Sequence, residues 1–137
     1  MIPEEQILSL LGCLKQGKQE ETSSCQFPAS EMEWSEWLDC ALGQGVAPLL
    51  YYRIKRARME QAIPTQTLLL LQESYYQNAA RNLRLLHELK IILEKLNIKD
   101  IPVVVLTGAF LAAKVYANPA LRSMRDLDIL TFGASLQ

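Results

Sequence analysis

Residues 101–132 read IPVVVLTGAFLAAKVYANPALRSMRDLDILTF. Within them, residues 103–106 form a continuous β-branched and aliphatic run, which predicts a strand buried on both faces. Gly108 ends that run, and the residues after it have the composition of a short helix. A second apolar run then carries Asp126 and Asp128 two positions apart. The stretch therefore predicts a strand, a glycine turn, a helix and a second strand.

The turn at Thr107 and Gly108 can serve two purposes. A glycine lets a ligand approach the backbone without a Cβ in the way. The helix expected over residues 109–116 would point its free N–H groups at the same place, which suits an anion. The alternative is that Gly108 only makes a tight connection from strand to helix. A single Thr-Gly pair leaves both interpretations open.

The carboxylate pair also allows two interpretations. Residues i and i+2 of a strand share a face, so Asp126 and Asp128 are expected to project together. Like charges side by side are unfavourable unless a cation lies between them. Two-metal phosphoryl transfer uses such a pair to hold Mg²⁺. The alternative is a solvated Asp-x-Asp turn that Arg122 and Arg125 neutralise.

Together, the two motifs resemble the nucleotidyltransferase superfamily of DNA polymerase β, and in particular a bacterial branch of uncharacterised nucleotidyltransferase-like proteins. That branch combines a Leu-Lys-Gly turn, a helix, a Tyr and a segment Leu-Arg-x-Met-x-Asp-x-Asp-x-Leu. The matching positions here are Leu106-Thr107-Gly108, Tyr116 and LRSMRDLDIL at 121–130, with further likeness in GVAPLLY at 45–51 and ARNLRLL at 80–86. The resemblance covers most of the chain.

The resemblance implies a nucleotide site with an Mg²⁺ centre of the two-metal type. Asp126 and Asp128 would be the catalytic carboxylates and the metal ligands. Phosphate binding would fall to the helix start, at Thr107, Gly108 and Ala109. Apart from the resemblance, Arg122, Arg81 and Arg84 are further candidates for a phosphate contact. The alternative for Arg81 and Arg84 is that they are surface charges paired with Glu88.

Two departures from the family pattern bear on activity. Thr107 stands where the family usually has Lys, so one positive charge is absent, although a hydroxyl can still donate a hydrogen bond. No Asp or Glu follows Asp128 before Gln137, whereas superfamily enzymes take a third carboxylate from a later strand. The resemblance therefore implies an incomplete catalytic site, and whether this chain is itself an enzyme stays open.

Composition narrows the functional classes. The chain has 137 residues, 50% of them hydrophobic, and a net charge of −1, which favours one compact unit and gives no general attraction to nucleic acid or membranes. The cysteines, Cys13, Cys25 and Cys40, are too widely spaced for a zinc site and indicate reduced thiols. Neither an export signal nor a membrane-spanning run of about 20 apolar residues is visible. We expect a soluble, cytoplasmic protein.

The rest of the chain predicts about four helices. They cover residues 3–14, a segment from a Ser30 capping box to about 43, a segment that begins at Pro48, and a long helix over 64–97. The fold class is therefore α+β, with a mostly helical part first. The resemblance implies that the part after it is the start of a polymerase β-like core. We expect residues 1–100 to form helical support and 101–137 a partial core, compact with helix 64–97. Trp34 and Trp37 are expected to pack in the interior.

Three functions fit these observations. The first is Mg²⁺-dependent transfer of a nucleotidyl group from a nucleoside triphosphate to an unknown acceptor hydroxyl. The second is a nucleotide-binding or regulatory module without chemistry, and the third is a purely structural helical domain. Because two strands are marginal as an independent sheet, we expect a homodimer or pairing with the continuation of a longer chain.

Overall fold

A computed structural model describes residues 27–133 of the chain. The elements in chain order are α1 (Glu31–Gly43), α2 (Ala47–Ala57), a 3₁₀ helix (Glu60–Ala62), α3 (Thr65–Ile98), β1 (Val103–Val105), α4 (Thr107–Lys114), a second 3₁₀ helix (Pro119–Leu121) and β2 (Ile129–Thr131). This mostly helical chain with one small sheet confirms the predicted α+β class. The helix expected over residues 3–14 lies outside the described residues, as do Cys13 and Cys25.

The chain divides into two compact units after Tyr76, within α3. The first unit begins with α1, whose N-cap is Ser30. The Ser30 Oγ accepts a hydrogen bond from the Glu33 N–H at 3.3 Å, and Glu33 Oε2 accepts one from the Ala29 N–H at 2.9 Å. The predicted capping box is therefore present, with its return bond one residue earlier than usual. Pro48 in the first turn of α2 is also confirmed.

The core of the first unit forms around the two tryptophans. Trp37 is fully buried and Trp34 nearly so, and their rings meet edge to face with centroids 5.4 Å apart. Such an arrangement is favourable beyond the area it buries. The interior position predicted for both rings is confirmed. The remaining buried residues of this cluster are Leu38, Cys40, Ala41, Ala47, Leu50, Tyr51, Ile54, Ile63 and Leu71.

The second unit holds the two-stranded sheet. β1 and β2 run antiparallel, with Val103 opposite Thr131 and Val105 opposite Ile129. The inner face of the sheet and the nearby helices share a cluster of Leu89, Ala109, Ala112 and Met124, joined by Leu85, Leu86, Leu93, Val105, Leu127 and Ile129. Val104 on the other face is 44% exposed. A strand buried on both faces was therefore a wrong prediction, because the described part of this unit has no second layer over that face.

The long helix α3 confirms the prediction for residues 64–97 within one residue at each end. Hydrophobic periodicity alone would select Leu83 for the buried side of this helix. The Leu83 side chain is 61% exposed, whereas Asn78 and Asn82 are buried. The buried side of α3 therefore includes two amides that hydrophobic periodicity does not select. Between residues 27 and 133, no helix is long and apolar enough to cross a membrane.

Candidate functional site

The first part of the site is the start of α4. This helix was expected from Ala109 and in fact begins at Thr107, so Thr107 and Gly108 belong to its first turn. Leu106, the N-cap, is extended and gives no side-chain hydrogen bond to that turn. The N–H groups of a first helical turn have no acceptor within the helix. The positive end of the α4 dipole therefore lies at Thr107 and Gly108, where phosphate binding was predicted.

Gly108 is not a turn glycine. Among the described glycines only Gly45 has a positive φ, at 70°. A Cβ added to Gly108 would lie 3.8 Å from Met124 Cγ, which is an ordinary contact. Neither the backbone conformation nor the packing of the described residues therefore requires glycine at this position. The tight-turn alternative loses its physical basis, and a ligand that comes close to the backbone remains as a reason.

The second part of the site is the carboxylate pair. Asp126 and Asp128 were expected on the second strand, but β2 begins at Ile129, so both precede it. Both aspartates are exposed, while Leu127 and Ile129 are half-buried against the cluster of the second unit. The expected alternation is present nonetheless. The two carboxylates lie on the solvent side of the chain and no packed side chains cover them.

A backbone hydrogen bond joins the two parts. The Leu106 N–H donates to the Asp128 carbonyl oxygen at 2.9 Å. This bond extends the pairing of Val105 with Ile129 by one residue, up to the N-cap of α4. Asp128 therefore lies beside the start of α4, at the same end of the sheet. The Asp128 backbone is thereby bonded to the residue that directly precedes Thr107.

Local arginines do not neutralise the carboxylates. Within residues 27–133, no ion pair joins Arg122 or Arg125 to Asp126 or Asp128. Two unit charges in water about 6 Å apart repel by roughly 0.7 kcal/mol, so an exposed pair is tolerated without a cation. The repulsion between the two carboxylates therefore leaves both the metal site and the solvated pair possible. The described residues also contain no group of three or more His, Cys, Asp or Glu side chains placed for a metal ion.

The other phosphate-binding candidates contribute less. Ala109 is 3% exposed and packs into the cluster, so only its backbone N–H could meet a ligand. Arg81 and Arg84 are exposed on α3, and the ion pair expected with Glu88 is absent from the described part of the chain. Arg122 is half-buried, and its Nε has no hydrogen-bond partner among those residues. Within the described stretch 27–133, no hydrogen bond or ion pair links these arginines to the carboxylates.

Sequence reasoning missed the two asparagines of α3. The Asn78 Nδ2 donates to the Ala120 carbonyl at 2.6 Å, and the Asn82 Nδ2 donates to the carbonyls of Pro119 and Arg122. These bonds hold the segment that leads to the carboxylates. The available signal was two amides one helical turn apart inside a largely apolar stripe, because buried amides need partners.

The basic end of α2 belongs to the first unit and is partly engaged there. Lys55 forms a 2.8 Å ion pair with Glu60, and the Arg56 guanidinium lies 5.8 Å from the centre of the Tyr52 ring. The hydrogen bond between Lys55 and Glu60 raises the pKa of the lysine and lowers the pKa of the glutamate. Lys55 and Arg56 at the end of α2 therefore already interact with neighbouring side chains.

An α+β chain with a helix start beside two exposed carboxylates has the general layout of a nucleotide-transferring domain. Comparison with protein families gives the same class: the family described as "Uncharacterised nucleotidyltransferase" matches residues 30–134. That match covers well over half of the sequence, and the chain belongs to this family. The resemblance seen in the sequence is confirmed. No curated protein and no solved structure matched the chain.

Proposed function

We propose that the second unit binds a nucleoside triphosphate with Mg²⁺ and serves transfer of its nucleotidyl group to an acceptor hydroxyl. The hydrogen bond between the Leu106 N–H and the Asp128 carbonyl is the observation that carries this proposal. It ties the backbone of Asp128 to the residue before the first turn of α4, whose N–H groups have no acceptor within the helix. A triphosphate needs donors for its oxygens and a metal ion for its charge, and this bond supports a site that supplies both from neighbouring residues.

The donor chemistry at Asp126 and Asp128 fits Mg²⁺. Both offer hard carboxylate oxygens from one exposed side of the chain, and Mg²⁺ prefers one or two such ligands together with phosphate oxygens and water. When bound, Mg²⁺ would neutralise charge that develops on the phosphate oxygens. The aspartates would hold the ion beside the α4 start. Because only two carboxylates are present, we expect Mg²⁺ alone to bind much more weakly than Mg²⁺ with a nucleotide.

The start of α4 would bind the phosphates. The N–H groups of Thr107, Gly108 and Ala109 lack acceptors within the helix, and the Thr107 hydroxyl adds a fourth donor on an exposed residue. The absence of a side chain on Gly108 leaves room for close approach. These donors carry partial charges and no full charge, since the lysine of related proteins is absent. The α4 start therefore orients the triphosphate, and most charge neutralisation falls to the metal ion.

A non-catalytic nucleotide-binding module is the second candidate. It is favoured by one observation: Thr107 stands where the family usually has Lys, so a full positive charge that could act on the phosphate is absent at this position. Under this alternative the same residues bind nucleotide and no bond is broken. The two candidates share the binding step and differ in turnover.

Calorimetric titration with each of the four nucleoside triphosphates, with and without Mg²⁺, tests the shared step. We expect Asp126→Asn and Asp128→Asn each to weaken Mg²⁺-dependent binding by about tenfold or more, the usual effect of disturbing a metal site. Asp100→Asn is the matched control. It removes one negative charge from an exposed residue, and asparagine tolerates the φ of 52° found there.

A coupled assay for pyrophosphate release then separates the candidates. Mg²⁺-dependent binding without release supports the binding module. Release that disappears in Asp128→Asn supports transfer by this chain. Equal binding by all variants, or no binding by the unmodified protein, would reject the proposal and leave a structural helical domain.

A further inference from the structure

Two buried amides of α3 hold one short segment of the second unit. Asn78 is 4% exposed and Asn82 is fully buried, and they lie one helical turn apart. Their side chains donate three hydrogen bonds, to the carbonyls of Ala120, Pro119 and Arg122. Almost every carbonyl of the segment 119–122 is therefore attached to α3. We call this arrangement the asparagine clamp.

The clamp works through the amide nitrogens. The Asn82 Nδ2 has two hydrogens and uses both, whereas its Oδ1 is buried without a hydrogen-bond partner among residues 27–133. A buried acceptor without a partner is unfavourable, so an apolar side chain would pack better than asparagine at position 82. An isosteric aspartate could not donate these bonds. Donation by Asn82 is therefore the property that the arrangement depends on.

The held segment leads directly to the carboxylates. Asn82 binds the Arg122 carbonyl, Met124 is 3% exposed in the cluster of the second unit, and Asp126 follows two residues later. At the end of the following stretch, residues 122–128, the Asp128 carbonyl accepts a hydrogen bond from the Leu106 N–H at 2.9 Å. The chain that carries both aspartates is thus fixed by the clamp before it and by the sheet after it, with one buried methionine between.

We infer that Asn78 and Asn82 are positioning residues for the carboxylate pair. They contact no reacting group. By holding the carbonyls of segment 119–122 they set where the following residues, and so the Asp126 and Asp128 side chains, stand relative to the start of α4. This inference rests on the proposed function for what the pair binds, and on the hydrogen bonds alone for how the pair is held.

The experiment compares Asn82→Asp and Asn78→Asp with the unmodified protein. Asn97→Asp makes the same chemical change at an exposed position of α3 and controls for charge. Ile54→Ala, in the core of the first unit, is chosen to lower the melting temperature by a similar amount. Backbone hydrogen exchange at 122–128 is measured without metal, and Mg²⁺-dependent ATP binding is measured well below the melting temperature of each variant. If Asn82→Asp does not fold, Asn78→Asp, which loses one bond, replaces it.

We expect Asn82→Asp to speed exchange at 122–128 and to weaken ATP binding, each by roughly tenfold or more, since Asn82 loses two hydrogen bonds and each is worth up to about a factor of ten. Asn78→Asp should show a smaller effect in the same direction, and Asn97→Asp none. Unchanged exchange in both clamp variants, or an equal loss of ATP binding in Ile54→Ala, would overturn the inference. If the unmodified protein binds no ATP, the proposed function fails, and exchange alone decides whether the clamp holds the segment.

Discussion

Gly108 is the residue at which fold and proposed function make different demands. In the first turn of α4 an alanine would be favoured over glycine, by up to about 1 kcal/mol, because glycine loses more backbone entropy on folding. The nearest atom to an added Cβ, Met124 Cγ at 3.8 Å, leaves room for it. Stability therefore favours Gly108→Ala, whereas close approach of a phosphate disfavours it.

We accordingly expect Gly108→Ala to raise the melting temperature or leave it unchanged, and to weaken Mg²⁺-dependent nucleotide binding by about tenfold, the cost of forcing one methyl group into a close contact. Calorimetric titration and thermal unfolding of one preparation check both effects. Gly43→Ala is the matched control, since Gly43 ends α1 and an added Cβ there meets nothing within 4 Å. Undiminished binding in Gly108→Ala would show that no ligand approaches this backbone.

At the scale of secondary structure, local signals predicted α1, α2 and α3 well. The Ser30 cap, Pro48 and the long apolar period each act within a few residues, so sequence alone contains them. What failed depends on partners distant in sequence. Only one side of β1 is covered, and the amides at Asn78 and Asn82 are buried because carbonyls some forty residues away accept from them. Periodicity counts apolar residues and cannot indicate such partners.

The junction between α2 and the 3₁₀ helix after it should respond to pH. The Lys55 hydrogen bond lowers the pKa of Glu60 from 4.5, so this stabilisation is present above that value and is lost as the pH falls through the lowered pKa. The pKa of Lys55 is raised from 10.5, so its contribution is present below that value and is lost as the pH rises through the raised pKa.

We therefore expect Lys55→Gln to lower the urea midpoint slightly at about pH 7, and we expect this difference to shrink toward about pH 2 as the Glu60 carboxylate becomes protonated. Urea unfolding of both proteins at the two pH values checks this. Lys95→Gln, an exposed lysine of α3, controls for the change in net charge. A difference between Lys55→Gln and the unmodified protein that persists at low pH would mean that the lysine stabilises by packing.

At the scale of the whole molecule, the site is predictable as a pair of motifs and unpredictable in detail. The order of the motifs was enough to predict that Gly108 and the carboxylate pair belong to one unit, because a short helix between antiparallel strands returns the chain to the same edge. How deeply each residue of this region is buried was not predictable. The burial depends on Met124, Leu127 and Ile129 packing together in the cluster of the second unit, and no local sequence pattern indicates that packing.

The outer face of the sheet gives the last prediction, on the association state. Val104, Leu130 and Phe132 are 44%, 47% and 55% exposed, and Val104 pairs directly with Leu130. A two-stranded sheet is marginal by itself, and burying the exposed part of each such side chain would contribute about 1 kcal/mol. We therefore expect concentration-dependent dimers in sedimentation velocity, and expect Leu130→Lys to shift them to monomers, because a dimer would bury the lysine charge.

Leu69→Lys, at a 52% exposed position of α3, should leave the dimers intact. Monomers at every concentration would show that this face is stable in water, and dimers that survive Leu130→Lys would place the contact elsewhere.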